Sequence, residues 1–447
     1  MKKLSIYFIQ EDTNLSDLII NNLPEGKFNR VFIKPNWVKH QENDIFPINS
    51  LVTDTDLIDL TIQACLKKYI NLEKICIGDV PLQICDWELL VNQTKVNNLI
   101  RKYKNYNKPE ILFLDLRRER YKLINGFLEF DGSHNGDQEG YSEIILDEAS
   151  MLEEISSNSA NFRVSDYDPK ETISMHKQSY HRYLIAKTIL KSDLIINMPK
   201  MKTHQKSGIT GALKNLVGIN GSKAYLVHHQ KGLPSQGGDE FPDNISRILL
   251  LQSKIRETLQ KRSKVIFKIL KFNWEILKKI FGIKTVGTKE NLNKKSFYIG
   301  SGSWYGNDSI WRMVYDLNMI ILFGNKDGGK LKKDKQREYF CILDGITSGE
   351  GNGPLQPLPV YSNVIAFSQN PFLVDFAIAK MMGFDYKKIP LLNNYKRFSY
   401  KEWTKFTPEN FNFEINTKLY ANGINSIPII KFFLPPPGWK DHIELTL

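Results

Sequence analysis

Short apolar runs of strand length recur along this 447-residue chain, at Ser5–Ile9, Val31–Ile33, Ile75–Ile77, Ile111–Leu114, Leu194–Ile196, Met319–Phe323, Cys341–Leu343 and Val364–Phe367. Between several of them the apolar positions follow a helical period, as in Asp56–Tyr69 (Leu57, Ile58, Leu60, Thr61, Ala64, Cys65) and in His181–Leu190, which leads into the Leu194 run. Short buried strands alternating with helices predict βαβ units and mostly parallel sheets. The expected fold class is α/β, arranged as two Rossmann-like lobes with a basic helical insertion. The first lobe is expected over 1–147, followed by a connection at 148–180 rich in Ser, Asn and acidic residues. The second lobe spans 181–395, with the insertion at about 250–295, and 396–447 forms a C-terminal extension.

Composition is that of an ordinary soluble globular protein, with 41% hydrophobic and 25% charged residues. No apolar run approaches the ~18–20 residues needed to span a bilayer. The opening MKKLSIYFIQED reads as a first strand rather than a signal peptide, so the cytoplasm is the expected location. None of the four cysteines (Cys65, Cys76, Cys85, Cys341) forms a CxxC pair, which excludes a zinc ribbon or an iron–sulphur run and predicts buried thiols.

The net charge is +12, but the window Lys254–Lys284 holds ten basic and two acidic residues and carries +8 of it. The rest of the chain is close to balance, so no nucleic acid partner is expected. Within that window, Arg262–Phe281 sets Val265, Ile266, Ile269, Leu270, Ile276, Leu277 and Ile280 at helical spacing among lysines. Two readings stand: a surface helix packing its apolar stripe on the domain, or a peripheral membrane or protein contact anchored by Phe272, Trp274 and Phe281.

The polar motifs fall in loops after strands, where parallel sheets carry their ligands. Val31-Phe-Ile ends in Lys34-Pro35-Asn36-Trp37, and Ile75-Cys-Ile ends in Gly78-Asp79-Val-Pro81. Leu194-Ile-Ile is followed by Asn197-Met-Pro199-Lys200-Met-Lys202-Thr-His204-Gln-Lys206, then by Gly208, Gly211 and Gly218 with Lys214 and Asn215 between the last two. The fourth loop is Asp344-Gly345-Ile346 with Gly349-Glu350-Gly351-Asn352-Gly353-Pro354. Glycines let a backbone close around a ligand, and Lys34, Lys200, Lys202 and Lys214 supply point charges for a carboxylate or phosphate. Asn36, Gly208, Gly211, Asn215, Asp344 and Glu350 complete the expected substrate contacts, while the spacing does not match a Walker-type nucleotide loop. His204, Lys214 and Asp79 are the expected catalytic groups. A divalent metal is a further expectation, held by His228 or His229 with Asp239.

Taken together, strand-KPN, strand-GD-x-P, the PKxKTH…GITGALKNLVG block and the DGI…GxGP loop resemble the domain of unknown function 362 family from about Val31 to Gly383, with a non-matching insertion near 250–300. Some members of that family carry a fused ferredoxin module, whose CxxC cysteines this chain lacks. The central block is also more distantly similar to the lactate racemase fold, in which a nickel-pincer cofactor is tethered to a lysine. Here His204 precedes Lys214 by ten positions, and His228 and His229 follow it by fourteen and fifteen. That resemblance implies Lys214 as tether, His204 as acid/base and His228 or His229 as metal ligand, although ALKNLVG stands in place of that family's Gly-Gly-Arg-Lys context. The expected function is acid/base or metal-assisted chemistry, racemase/epimerase-like or redox, on a small anionic substrate in an inter-lobe cleft. The alternative is a non-catalytic module for an anionic glycan or lipid headgroup, docking through the basic helix.

Overall fold

The computed structural model describes residues 4–42, 46–106, 108–124, 127–134, 136–164, 167–245, 250 and 300–446. The insertion expected at about 250–295, with its basic stretch Arg262–Phe281, lies outside the described residues except for its first position.

Among the described residues eleven strands build the central sheet. In chain order they are β1 (Leu4–Phe8), β2 (Arg30–Pro35), β3 (Lys74–Asp79), β4 (Glu110–Asp115), β5 (Leu194–Met198), β6 (Lys200–His204), β7 (Gly208–Thr210), β8 (Glu338–Asn352), β9 (Gln356–Ser368), β10 (Phe413–Ile415) and β11 (Lys418–Tyr420). Across the sheet the order is β11-β10-β1-β9-β8-β5-β2-β3-β4, with β6 on β8 and β7 on β6. The run from β8 through β5, β2 and β3 to β4 is parallel, and β9 pairs antiparallel with both β8 and β1. The α/β class with a mostly parallel sheet is therefore as the hydrophobic pattern predicts. A single sheet draws on both stretches expected as lobes: Leu194 to Met198 lie in register with Val31 to Pro35, and β10 and β11 come from the C-terminal extension.

Alternate side chains leave opposite faces of each strand, which is why the parallel strands read as continuous apolar runs. Val31, Ile33, Ile75, Ile77, Leu194 and Ile196 pack on one side with Ile19 of helix α1 (Leu15–Asn22) and Leu57, Ile58 and Ile62 of helix α2 (Thr55–Lys68). Phe32, Cys76, Ile195 and Cys341 face the other side. There they meet the short turn α3 (Ala212–Asn215) and the helices α4 (Ile310–Phe323) and α5 (Pro371–Met381). The four cysteines are free and buried in these layers.

Local chemistry fixes the helix starts. Asp54 caps α2 by accepting N–H bonds from Asp56 (2.9 Å) and Leu57 (3.3 Å), and Asn370 with Pro371 opens α5 in the same way.

Two elements differ from expectation. Met319–Phe323 is the last turn of α4, buried on nearly every side, and a five-residue apolar run cannot be told from a strand by pattern alone. The segment expected as a helix over His181–Leu190 is mostly a strand, Tyr180–Ala186, paired antiparallel with Tyr141–Ile145; only Lys187–Leu190 is helical. Its tyrosines and isoleucine suit a pleated surface better than a helix.

Candidate functional site

Strands β2 and β3 end side by side, and their tips form the first half of the site. Lys34 Nζ lies 2.8 Å from Asp79 Oδ1 and donates to its neighbour's carbonyl, Pro35 O, at 2.7 Å. The other Asp79 oxygen accepts the Trp37 N–H at 2.7 Å. Both side chains are buried; burial lowers the Lys34 pKa, and Asp79 works against that shift. Asn36 turns inward, its Nδ2 donating to Asn215 Oδ1 (2.8 Å) and its Oδ1 accepting from Lys202 Nζ (2.8 Å). Asn215 continues the chain of amides by donating to Asn197 Oδ1 (2.7 Å) and Lys34 O (3.2 Å).

The second half comes from β6, β7 and the glycine-rich loop after them. Lys200 pairs with Asp344 at 2.7 Å, both side chains wholly excluded from solvent, and the same Asp344 oxygen accepts the Asp54 N–H that precedes α2. Burial raises the Asp344 pKa, and Lys200 opposes it. Lys202 has no carboxylate partner among the described residues: Asn36 Oδ1 and Leu51 O (2.5 Å) receive its ammonium, and burial with the nearby Lys200 charge pushes its pKa well down.

Gly208 sits at φ +78°, a conformation glycine adopts without strain, with the Trp439 ring against it. Gly211 lies against the Asp375 carboxylate, which accepts the Ala212 and Leu213 N–H groups at the start of α3. That seat holds Lys214, buried at 7% exposure. Burial, then the charges of Lys223, Lys206 and Lys34, lower its pKa to about 7.

Two imidazoles complete the arrangement, and the backbone sets their tautomers. His204 Nδ1 accepts the Lys206 N–H at 3.0 Å, so the neutral ring carries its proton on Nε2. His228 Nδ1 lies 2.6 Å from Leu226 O, which can only accept, so this ring has its proton on Nδ1 and an open lone pair on Nε2. Burial holds both pKa values well below the usual imidazole range, followed for His204 by the charges of Lys214, Lys202 and His228, and for His228 by those of Lys206 and Lys214. At neutral pH one ring is a donor and the other an acceptor.

The remaining candidates lie elsewhere. Glu350 is turned to the C-terminal segment, where it binds Lys431 Nζ (2.7 Å) and the Leu434 N–H (3.0 Å). For the metal set expected from His228, His229 and Asp239, no three His, Cys, Asp or Glu side chains are grouped among the described residues as a metal ion would require. Asp239 instead accepts from Gln230 N, Asp308 N (2.9 Å) and Ser309 N (2.8 Å), seating the start of α4, and His229 belongs to a short strand paired with Phe162–Arg163. Burial raises the Asp239 pKa to about 6.

Lys223, Asp375 and Trp439 are participants the motifs do not reveal, and Asn197, which stands in the motif, is not among the expected site residues. Lys223 is buried, its pKa lowered to about 8 by burial, and its ammonium lies 3.4 Å from Val217 O. The one sequence signal for Lys223 is a further lysine two positions after Gly221.

A family model described as domain of unknown function (DUF362) matches residues 130–380, more than half of the chain. A crystal structure of a protein from Thermotoga maritima superposes with a TM-score of 0.34 at 10% identity, covering 80% of this chain and 54% of that one. The chain thus spans about half the length of that protein, and so loose a likeness carries no argument here. No relative is found among the curated proteins. A likeness to lactate racemase is not among what these matches show. No helix among the described residues is long and apolar enough to cross a membrane.

Proposed function

The chain belongs to the DUF362 family, and from that footing we propose that it is an enzyme performing acid–base chemistry on a small anionic substrate held by its buried lysines. The observation that carries this reading is the pair of imidazoles of opposite tautomer, both within reach of the Lys214 charge. His204 offers a proton from Nε2 and His228 offers a lone pair at Nε2, the complement needed to take a proton from one position and return one at another. Lys214, depressed to about 7, would neutralise the negative charge of the substrate and could itself exchange a proton near neutral pH. Asp79 acts through Lys34, fixing the ammonium at the tip of β2. Racemisation or epimerisation next to a carboxylate is the reaction class this complement suits best. The other reading, a binding module for an anionic glycan or lipid headgroup, would use the same lysines but leaves the opposed imidazoles without a task.

Nitrogen-15 NMR of the histidines tests the proposal without a known substrate. Near neutral pH His204 should appear as the Nε2–H tautomer and His228 as the Nδ1–H tautomer, and both rings should shift when inorganic phosphate or acetate is added. Lys214→Met should abolish that response. Identical tautomers, or rings indifferent to both anions, would overturn the reading.

A further inference from the structure

Resting on that anion-site reading, we propose that the natural ligand is a dianion, a phosphate ester or a dicarboxylate, whose second charge is met by Lys223 and whose polar edge is read by Gln83 and Ser222. The argument begins with charge. Five lysines are buried around the strand tips: Lys34, Lys200, Lys202, Lys214 and Lys223. Asp79 and Asp344 compensate Lys34 and Lys200 at 2.8 and 2.7 Å. Neutral acceptors on Asn36 and Leu51 receive Lys202. Lys214 and Lys223 remain, each without a carboxylate in ion-pair contact among the described residues, and the Lys223 charge is the foremost one acting on Lys214. A buried ammonium without a counter-charge is costly. A monoanion would leave one of these two uncompensated, whereas a dianion neutralises both.

The second observation is polar and independent of charge. Gln83, 1% exposed, follows the β3 tip, and neither its Oε1 nor its Nε2 has a hydrogen-bond partner among the described residues. Ser222, wholly buried next to Lys223, has an equally unpartnered Oγ. Native proteins seldom bury such groups unpaired, so these mark where ligand atoms can complete the bonding. Gln83 also sits on a fixed base. The buried Arg117 guanidinium, held by Asp115, donates to the carbonyls of Leu82 (3.2 Å), Gln83 (3.1 Å) and Cys85 (2.6 Å). The Arg117 and Asp79 charges both reach Lys223, which ties this loop to the same corner of the site. An amide that can donate and accept suits a phosphate or carboxylate that carries a neighbouring hydroxyl.

Thermal shift and calorimetry on the full chain near neutral pH, at matched ionic strength, provide the test. Inorganic phosphate and malonate serve as dianions of the two sources, with acetate and nitrate as monoanions. At least one dianion should stabilise the wild type and bind about ten- to a hundredfold more tightly than either monoanion, as expected for one further charge-assisted contact. Lys223→Met should remove that preference, and Gln83→Met should weaken dianion binding about tenfold while leaving the melting temperature unchanged or higher. If acetate matches both dianions, or Lys223→Met binds like wild type while Lys214→Met does not, the dianion proposal falls and the anion site stands. If no ion binds the wild type, the anion-site reading falls with it. Should Lys223→Met fail to fold, the comparison of dianions with monoanions on the wild type decides alone.

Discussion

Gly218 packs on Asp79 so closely that a methyl group in place of its hydrogen would lie 1.9 Å from Asp79 Oδ1 and 2.7 Å from Lys34 Nζ. Its N-terminal neighbours belong to the glycine-rich loop, and its own carbonyl accepts the Val80 N–H at 2.9 Å. The backbone at Gly218 is ordinary (φ −81°), so what the position requires is space rather than conformational freedom. Gly218→Ala should therefore cost about 1–3 kcal/mol through overpacking and should also weaken anion binding by displacing the Lys34–Asp79 pair. Denaturant unfolding and phosphate calorimetry on the same variant check both halves; a variant as stable as wild type would show that the loop yields freely.

The Lys200–Asp344 pair gives a second, sharper expectation. Removing one partner of a wholly buried pair leaves a charge that water cannot reach. Lys200→Met should destabilise the protein by about 3–5 kcal/mol. Adding Asp344→Asn should recover part of the loss, because an amide oxygen can still accept the Asp54 N–H at the start of α2. Urea unfolding of the single and double variants measures the coupling. A single variant losing under about 1 kcal/mol would mean that the pair is solvated like a surface ion pair.

Much of this site was legible because its chemistry lies next to strand ends. Lys34 and Asp79 close the apolar runs at Val31 and Ile75, so a pattern that finds the strands also finds the residues. What the pattern could not see is contact between distant positions. Asp375 lies 163 positions from the Ala212 N–H it accepts, and Trp439 lies 234 from Gln205. Neither has a local motif. Asp239 shows the same limit of a local pattern: beside a glycine pair and ten residues after a histidine it resembles a metal ligand, and only the fold reveals that the start of α4 supplies N–H donors for its oxygens. The metal reading depended on residue type, and the geometry assigned that carboxylate to a helix terminus.

Trp439 carries the third expectation. Its ring closes over Gly208, and its indole Nε1 donates to Gln205 O at 2.6 Å, so the C-terminal segment holds the loop between His204 and Lys214 in place. Trp439→Ala should cost about 3–5 kcal/mol and lower anion affinity by loosening that loop. Trp439→Phe loses the hydrogen bond and part of the ring over Gly208 but keeps an aromatic core, for a smaller loss of about 1–3 kcal/mol. Melting curves with and without phosphate separate the two effects. An alanine variant that binds phosphate like wild type would show that the loop keeps its shape alone.

The buried lysines also fix a pH dependence. In the folded chain Lys214 and Lys223 are lowered to about 7 and 8, chiefly by burial, against 10.5 for an unperturbed lysine. Above pH 7 the folded protein releases these protons first while the unfolded chain keeps them, so the unfolded state binds more protons and stability rises with pH. Each proton of difference contributes about 1.4 kcal/mol per pH unit. The window closes from about pH 8.5, because Cys65, Cys76, Cys85 and Cys341, all raised by burial, then ionise only in the unfolded chain and reverse the slope. At the lower end Asp316 and Asp375, raised by burial to about 7, oppose the rise. The difference between wild type and Lys214→Met cancels both contributions and isolates one lysine. Below pH 7 the methionine variant should be the more stable of the two, and its advantage should shrink as pH climbs towards 8.5. Phosphate should flatten the wild-type rise, since a bound anion keeps Lys214 protonated. An advantage that stays constant from pH 6.5 to 8.5 would mean that Lys214 titrates as an ordinary surface lysine, and its place at the centre of the site would have to be given up.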